Sequence, residues 1–449
     1  MSSRKPVIAM VCDFFYPGLG GVEMHIYQLS QCLIQRGYKI IVITHYRGER
    51  HGVRYMTNGT FVVFLLVNLP GLKVYYLPFV PFHDNVTLPN VGLMFGLVRD
   101  ILIRENVEIC HGHQATSNVT HIALFHARTL GIPTVYTDHS LFGFDDAACI
   151  HINKVLKCML ADIQHVICVS NTNKENLILR AAIRPQDVSV IPNAVDTSRF
   201  KPGDVAAPTG DRLTIVVISR MTYRKGVDLL VDIIPTICKL YPRTHWIIGG
   251  DGPKLLDLLQ MVERSKLHDR VELLGRVEHS EVCRVLRRGQ IFLNCSLTEA
   301  FCIALIEAAS CGLAVVSTNV GGVPEVLPPS LVRLADPRAD TLSDALCKAI
   351  DEIDTGRDMH AVHRAVSQMY SWDIVAKRTE NVYERVLRAP KLDLIQRIYA
   401  YMTCGSFGGF LAAIFVVIDH ILAAIFEYVT PRSSIERMPH FRYEENTKT

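Results

Sequence analysis

Two carboxylates, Glu299 and Glu307, stand in a stretch that otherwise carries no charge: Leu293-Asn-Cys-Ser-Leu-Thr-Glu-Ala-Phe-Cys-Ile-Ala-Leu-Ile-Glu307. A buried carboxylate is costly unless it is paired or hydrogen-bonded. The stretch reads as strand, loop and helix. Ile291-Phe-Leu is a short apolar run suited to a buried parallel strand. Thr298 is the candidate N-cap, and Gly312 supplies a left-handed stop. Eight residues of helix then separate the carboxylates by about 12 Å of rise and roughly 80° of rotation. The free N–H groups and positive dipole end at the helix start make a natural anion site. An elongated ligand with hydroxyls at both ends and negative charge between them would fit, and a nucleotide-diphosphate sugar has that shape. Two surface glutamates on an ordinary helix are the plain alternative, and the apolar flanks argue against it.

Other candidates sit at strand ends. Leu213-Thr-Ile-Val-Val-Ile218 empties into Ser219-Arg220-Met-Thr-Tyr-Arg-Lys225-Gly226, just before a helix over 227–237. Cations at that edge suit a diphosphate, with arginine bidentate and lysine a point charge. Gly18, Gly20 and Gly21 fall in the turn after the first strand, Val7–Cys12, where backbone N–H groups can hold phosphate; plain turn geometry is the alternative. His139 ends the strand of Pro133-Thr-Val-Tyr-Thr-Asp-His139, either facing a ligand or serving as a satisfied structural histidine. His111 and His113 share one strand face with no third ligand evident, which favours hydrogen bonding over a metal. The basic loop Arg47–Arg54 either meets an anionic head group or is simply solvated.

These residues need a frame of alternating strands and helices, and the chain supplies it twice. The pattern is that of an α/β protein with doubly wound sheets. A helix with Val22, Ile26, Leu29, Leu33 and Ile34 on one face follows the first glycine turn and stops at Gly37. Asn68-Leu-Pro-Gly71 reads as a turn between Phe61–Val67 and Leu72–Leu77, a possible hairpin. The expected domains are 1–201, a linker over 202–212, a second domain over 213–371, returning helices and an interfacial helix over 372–404, an apolar span over 405–430 and a disordered tail over 431–449. The apolar run from Phe407 to Val429 is long enough to cross a bilayer core of about 30 Å. Asp419 and His420 near its middle should face a protein partner; a buried amphipathic helix is the alternative. The chain has 449 residues, a net charge of +3 and 13 cysteines without metal-ligand spacing. Nothing in it suggests a nucleic-acid module, and the scattered thiols suit a reducing compartment.

Taken together, Glu299-x7-Glu307, Gly20-Gly21, His139 and Arg220 with Lys225-Gly226 resemble the retaining GT-B glycosyltransferases. Gly20-Gly-Val-Glu-x-His, Tyr136-Thr-Asp-His-Ser-Leu-Phe-Gly-Phe144, Ser189-Val-Ile-Pro-Asn-Ala-Val-Asp196 and Thr298-Glu-Ala-Phe-Cys are similar to the PIG-A family among them, over nearly the whole chain. That resemblance implies a GT-B fold, two Rossmann-like domains facing across a cleft, plus a C-terminal transmembrane helix. It implies transfer of GlcNAc from UDP-GlcNAc to phosphatidylinositol with retention, the first step of GPI-anchor synthesis. It gives Arg220 and Lys225 the diphosphate, Glu307 the ribose hydroxyls, and Glu299 and His139 the donor sugar. The N–H groups of Phe301, Cys302 and Ile303 add to the diphosphate site, while Gly20 and Gly21 let backbone approach phosphate. The family retains configuration, with attack on the face of departure; no second carboxylate stands out as a nucleophile. No DxD motif is present, so no metal and no cofactor are expected, and UDP-GlcNAc is a substrate.

The residues 60–71 look like an insertion relative to the family, and Ala300 stands where many GT-B relatives have glycine. The implied partners are UDP-GlcNAc, phosphatidylinositol, other subunits of a complex and the endoplasmic reticulum membrane, crossed once, with the catalytic domains in the cytosol. Four sequons, at Asn58, Asn85, Asn118 and Asn294, should then be unmodified. The alternatives are a related transferase with another UDP-sugar or lipid, a UDP-sugar epimerase, and a non-catalytic membrane scaffold.

Overall fold

A computed structural model describes residues 4–18, 20–56, 71–83, 85–143, 147–203, 212–353 and 358–439. The chain divides into two compact units. The first comprises Met1–Val169, Lys174–Ile191 and Val375–Thr449, and the second Ser170–Asn173 and Pro192–Ile374.

In the first unit the strands are β1 (Val7–Val11), β2 (Lys39–His45), β3 (Gly52–Met56), β4 (Leu72–Leu77), β5 (Pro81–His83), β6 (Val86–Thr87), β7 (Ile109–His113), β8 (Thr134–Asp138), β9 (His165–Cys168) and β10 (Val188–Val190). The helices are α1 (Gly21–Gln35), α2 (Val91–Arg104), α3 (Asn118–Thr129), α4 (Ala147–Met159) and α5 (Asn171–Ala181). Eight strands form one sheet, ordered β10-β9-β8-β7-β1-β2-β4-β3. All its pairings are parallel except β3 with β4. Every residue of β1, Val-Ile-Ala-Met-Val, is buried, as a strand with helices on both faces must be. The hairpin partner of Leu72–Leu77 is Gly52–Met56, part of the supposed basic loop. The expected partner, 61–67, lies outside the described residues, as do Asn58, most of the supposed insertion and most of the linker.

The second unit holds β11 (Leu213–Ile218), α6 (Val227–Leu240), β12 (Thr244–Gly249), α7 (Leu255–Ser265), β13 (Val271–Gly275), α8 (His279–Leu286), β14 (Ile291–Asn294), α9 (Ile303–Ser310), β15 (Ala314–Thr318), β16 (Val332–Ala335), α10 (Ala339–Glu352) and α11 (Met359–Met369). Its sheet is wholly parallel, ordered β13-β12-β11-β14-β15-β16. One apolar core joins Ile215, Val217, Leu230, Ile234, Trp246 and Leu293. The alternation read from the sequence is present in both units.

The chain then runs through α12 (Trp372–Arg388), α13 (Leu394–Met402) and α14 (Ser406–Val429). α13 opens with a reciprocal capping box between Asp393 and Gln396. α14 is 24 residues long and apolar enough to cross a membrane. Asp419, expected to face a partner protein, instead bonds to His126 of its own chain. The tail is not featureless as far as it is described: Arg432–Ser434 forms a turn of 3-10 helix, and the Met438 N–H donates to the Arg104 carbonyl at 2.7 Å.

Candidate functional site

In the second unit, Lys225 closes a 3-10 turn, Tyr223–Lys225, between β11 and α6. Gly226 follows at φ +68°, and a Cβ there would lie 1.8 Å from the Cys295 carbonyl oxygen. Only glycine lets this turn press onto the end of β14. The contact brings the Lys225 ammonium into an ion pair with Glu299. Burial alone would lower the Lys225 pKa, but the charge and hydrogen bond of Glu299 outweigh it, and the ammonium is held above its usual range. The Ser296 hydroxyl lies 2.8 Å from the same Glu299 oxygen. Arg220 is exposed at the end of β11, and its guanidinium makes no hydrogen bond or ion pair among the described residues.

Glu299 is not on the helix. α9 begins at Ile303, and its N-cap is Cys302, not Thr298. The reason is that distant groups take the backbone before it. The Leu297 N–H donates to the Arg224 carbonyl at 2.9 Å, and the Gly322 N–H to the Glu299 carbonyl at 2.9 Å. The Ser170 hydroxyl donates to the Ala300 carbonyl at 2.7 Å. Residues 297–300 therefore cannot give those groups to helix bonds. The twelve-ångström helical spacing of the two carboxylates does not apply, because a loop carries the first. Cys302 at φ +72° reverses the chain into α9, whose first N–H groups lack intrahelical acceptors. The Phe301 ring is buried edge-to-face on Tyr370, centroids 5.7 Å apart, so only its backbone can meet a ligand. Glu307 lies in the second turn of α9; burial, opposed by Arg199 and helped by Cys283, pushes its carboxyl up to about 7. The end of this sheet thus offers two cations, a carboxylate tied to one of them, and a second carboxylate poised near neutrality.

In the first unit, Gly20 is the N-cap of α1 and Gly21 its first residue, so only Gly20 still belongs to the turn from β1. A Cβ on Gly20 would stand 2.4 Å from a Glu23 carboxylate oxygen, so that side chain folds back over the turn. His139 follows β8, whose last residue, Asp138, is fixed by Arg180 at 2.5 Å. His139 Nε2 lies 3.3 Å from His113 Nδ1. His25, on α1, packs its ring against His139 with centroids 4.7 Å apart. It joins His113 and His139 in a trio that leaves out His111, whose two nitrogens lie against the Tyr383 and Thr137 hydroxyls at 2.8 and 2.7 Å. Nitrogens of His25, His113 and His139 all fall within 4.8 Å of one another. Burial, then mutual repulsion, pushes His113 and His139 well below the usual imidazole range and His111 down to about 3. His111, His113 and His139 are thereby held neutral and work as hydrogen-bond donors and acceptors. The cluster's signal in the sequence is the position of His25 one helical turn after Gly21.

A family model described as PIGA (GPI anchor biosynthesis) matches residues 45–146, and one described as glycosyl transferases group 1 matches residues 212–352. A phosphatidylinositol N-acetylglucosaminyltransferase subunit from Arabidopsis thaliana is 51% identical over 432 residues, covering 96% of this chain and 94% of that protein. Its Homo sapiens namesake is 49% identical, covering 97% of this chain and 87% of that protein. The chain belongs to the PIGA family. The family carries the GT-B fold here: a sucrose-phosphate synthase from Thermosynechococcus elongatus superposes with a TM-score of 0.68 at 18% identity, covering 86% of this chain and all of that one. The catalytic domain of starch synthase IV from Arabidopsis thaliana, solved with ADP and acarbose, does so at 0.65 and 16% identity, over 86% of this chain and all of that one.

Proposed function

We propose that this chain transfers N-acetylglucosamine from UDP-GlcNAc to phosphatidylinositol, the first step of GPI-anchor synthesis. The observation that carries the reading is the 51% identity, over 96% of the chain, to a protein named for that activity. The second unit takes the donor: Arg220 and Lys225 grip the diphosphate, Glu307 accepts from the ribose hydroxyls, and Glu299 meets the sugar. The α9 start, through the N–H groups of Phe301, Cys302 and Ile303, adds dipole stabilisation. The first unit takes the acceptor, and it also reaches the donor: Gly20 and Gly21 let backbone approach the donor's phosphate, and the neutral His139 hydrogen-bonds the sugar near its reacting carbon.

The anomeric configuration is retained by same-face attack. The bond from the inositol oxygen to the anomeric carbon forms as the bond from that carbon to the β-phosphate oxygen breaks. The inositol proton passes to the departing phosphate oxygen. Charge on the leaving UDP falls on Arg220 and Lys225, so no metal is required and transfer should survive chelation. The enzyme works at the endoplasmic reticulum membrane with other subunits, α14 in the bilayer and both units on the cytosolic side.

The test is to incubate membranes carrying the complex with several labelled UDP-sugars and analyse the lipid product. The parent should make N-acetylglucosaminyl-phosphatidylinositol, and Lys225→Ala should lose about 10²–10³-fold in rate while still assembling. Unchanged transfer by Lys225→Ala would point to a scaffold, and a different labelled lipid to another donor.

A further inference from the structure

α14 has two unlike faces. Gly409, Ala413, Val416 and Asp419, spaced three or four residues apart, are buried. Phe407, Phe410, Ile414, Ile418, Ile421 and Ile425, on the rest of the circumference, are exposed. A helix surrounded by acyl chains alone has no use for a buried aspartate such as Asp419.

The buried face is pinned along its length. Near its start, Gly409 fits so tightly that a Cβ would stand 2.6 Å from the Tyr401 carbonyl of α13. In the middle, His126 Nδ1 meets Asp419 at 2.8 Å, and the Thr129 hydroxyl donates to the other Asp419 oxygen. Thr129 in turn accepts from Arg397 at 2.8 Å, and Arg397 donates to Asp162 at 2.6 Å. Asp162 also pairs with Arg128 at 2.9 Å and accepts from Tyr401 at 3.0 Å. At the far end, the fully buried Arg99 of α2 holds Glu427 at 2.9 Å and the Thr430 carbonyl at 2.8 Å. The Phe426 ring lies over Gly96 of α2. A buried polar network this connected fixes one arrangement, since each group left without its partner would be stranded.

We propose that α14 is a built-in element of the first unit, latched by Asp419 to α3, and that its outward face meets lipid acyl chains. The lipid occupant follows from that face. It is aliphatic and aromatic over the ~36 Å of a 24-residue helix, far more apolar surface than water tolerates. Exposed Phe407 and Tyr428 carry that apolar face to both ends of the helix. Ile395 and Tyr399 of α13 are exposed as well. The latch makes Asp419 a positioning residue: membrane attachment and the acceptor-side unit become one body. This rests on the membrane-bound reading above, and its test does not use transfer as the readout.

In membranes carrying the full complex, a photoreactive p-benzoylphenylalanine is placed at Phe426, and separately at Phe410. Irradiation should link position 426 within the chain, to the peptide containing Gly96, and position 410 to lipid. Asp419→Leu should cut the 426 link at least tenfold while the chain stays in the membrane fraction. Asp419→Asn, nearly the same size, should weaken it less, which separates loss of the latch from loss of folding. The proposal is overturned if position 426 links lipid as readily as position 410. It is overturned equally if position 410 captures a different protein or a second copy in place of lipid.

Discussion

Glu307 makes the reading titratable. Burial first, with Cys283 adding and Arg199 opposing, raises its carboxyl from an ordinary 4.5 to about 7. Only the carboxylate accepts from two hydroxyls at once. UDP-GlcNAc, whose diphosphate does not titrate in this range, should therefore bind more tightly as pH climbs from about 6 to 8, and Glu307→Gln should bind it more weakly with a flat profile. Calorimetric titrations across that range check this, and a flat parent profile would remove Glu307 from the ribose. The linkage to folding has the opposite sign. The raised group favours the folded state while protonated, and that contribution fades as pH rises from the ordinary value through about 7. Glu307→Gln should thus melt higher than the parent at pH 8. Arg220 gives a second prediction: lysine keeps its charge but loses the fork. Arg220→Lys should lower transfer about 10–100-fold, as loss of a charged hydrogen bond does, without moving the melting temperature, because the side chain is exposed. Arg220 and Lys225 were legible in the sequence because a charge at the end of an apolar strand has few places to go. His25 was not, since only folding brings α1 beside β7 and β8.

At the scale of elements, the decisive contacts are places where backbone meets backbone. Gly226 at φ +68° touches the Cys295 carbonyl, and a Cβ on Gly322 would lie 2.1 Å from the Ala300 carbonyl. Alanine at 226 meets a left-handed cost of roughly 1–2 kcal/mol as well as the collision. Gly226→Ala and Gly322→Ala should each lower the melting temperature of the second unit by several degrees and weaken UDP binding. Gly408→Ala is the control: nothing lies within 4 Å of its Cβ, and alanine is the better helix former. It should melt no lower than the parent in differential scanning fluorimetry. These elements also show where sequence reasoning stops. Val7–Val11 and Leu213–Ile218 were plain as strands because burial on both faces leaves no room for polar residues. The onset of α9 was misplaced because the groups that hold residues 297–300 out of the helix are Arg224, Gly322 and Ser170. Likewise β4 pairs with β3, whose first residues belong to the stretch read as a basic loop.

At the scale of the whole molecule, the cytosolic placement can be tested through the sequons, which are not equally informative. Asn294 is buried and donates to the Ser317 hydroxyl at 2.9 Å. Asn118 starts α3, and its side-chain amide donates to the Thr87 carbonyl. A glycan on either would be incompatible with the folded units, whatever compartment they occupied. Asn85 is different: its side chain is exposed, at φ +63° beside the short strand β6. A folded, active protein could carry sugar there without disturbance. Its occupancy therefore reports location, where the other two report folding. Both units on the cytosolic face predict that Asn85 carries no glycan in active complex purified from cells, and that Asn85→Gln changes neither mobility nor transfer. A mobility shift on glycosidase treatment, abolished by Asn85→Gln, would place the first unit in the lumen and reverse the topology.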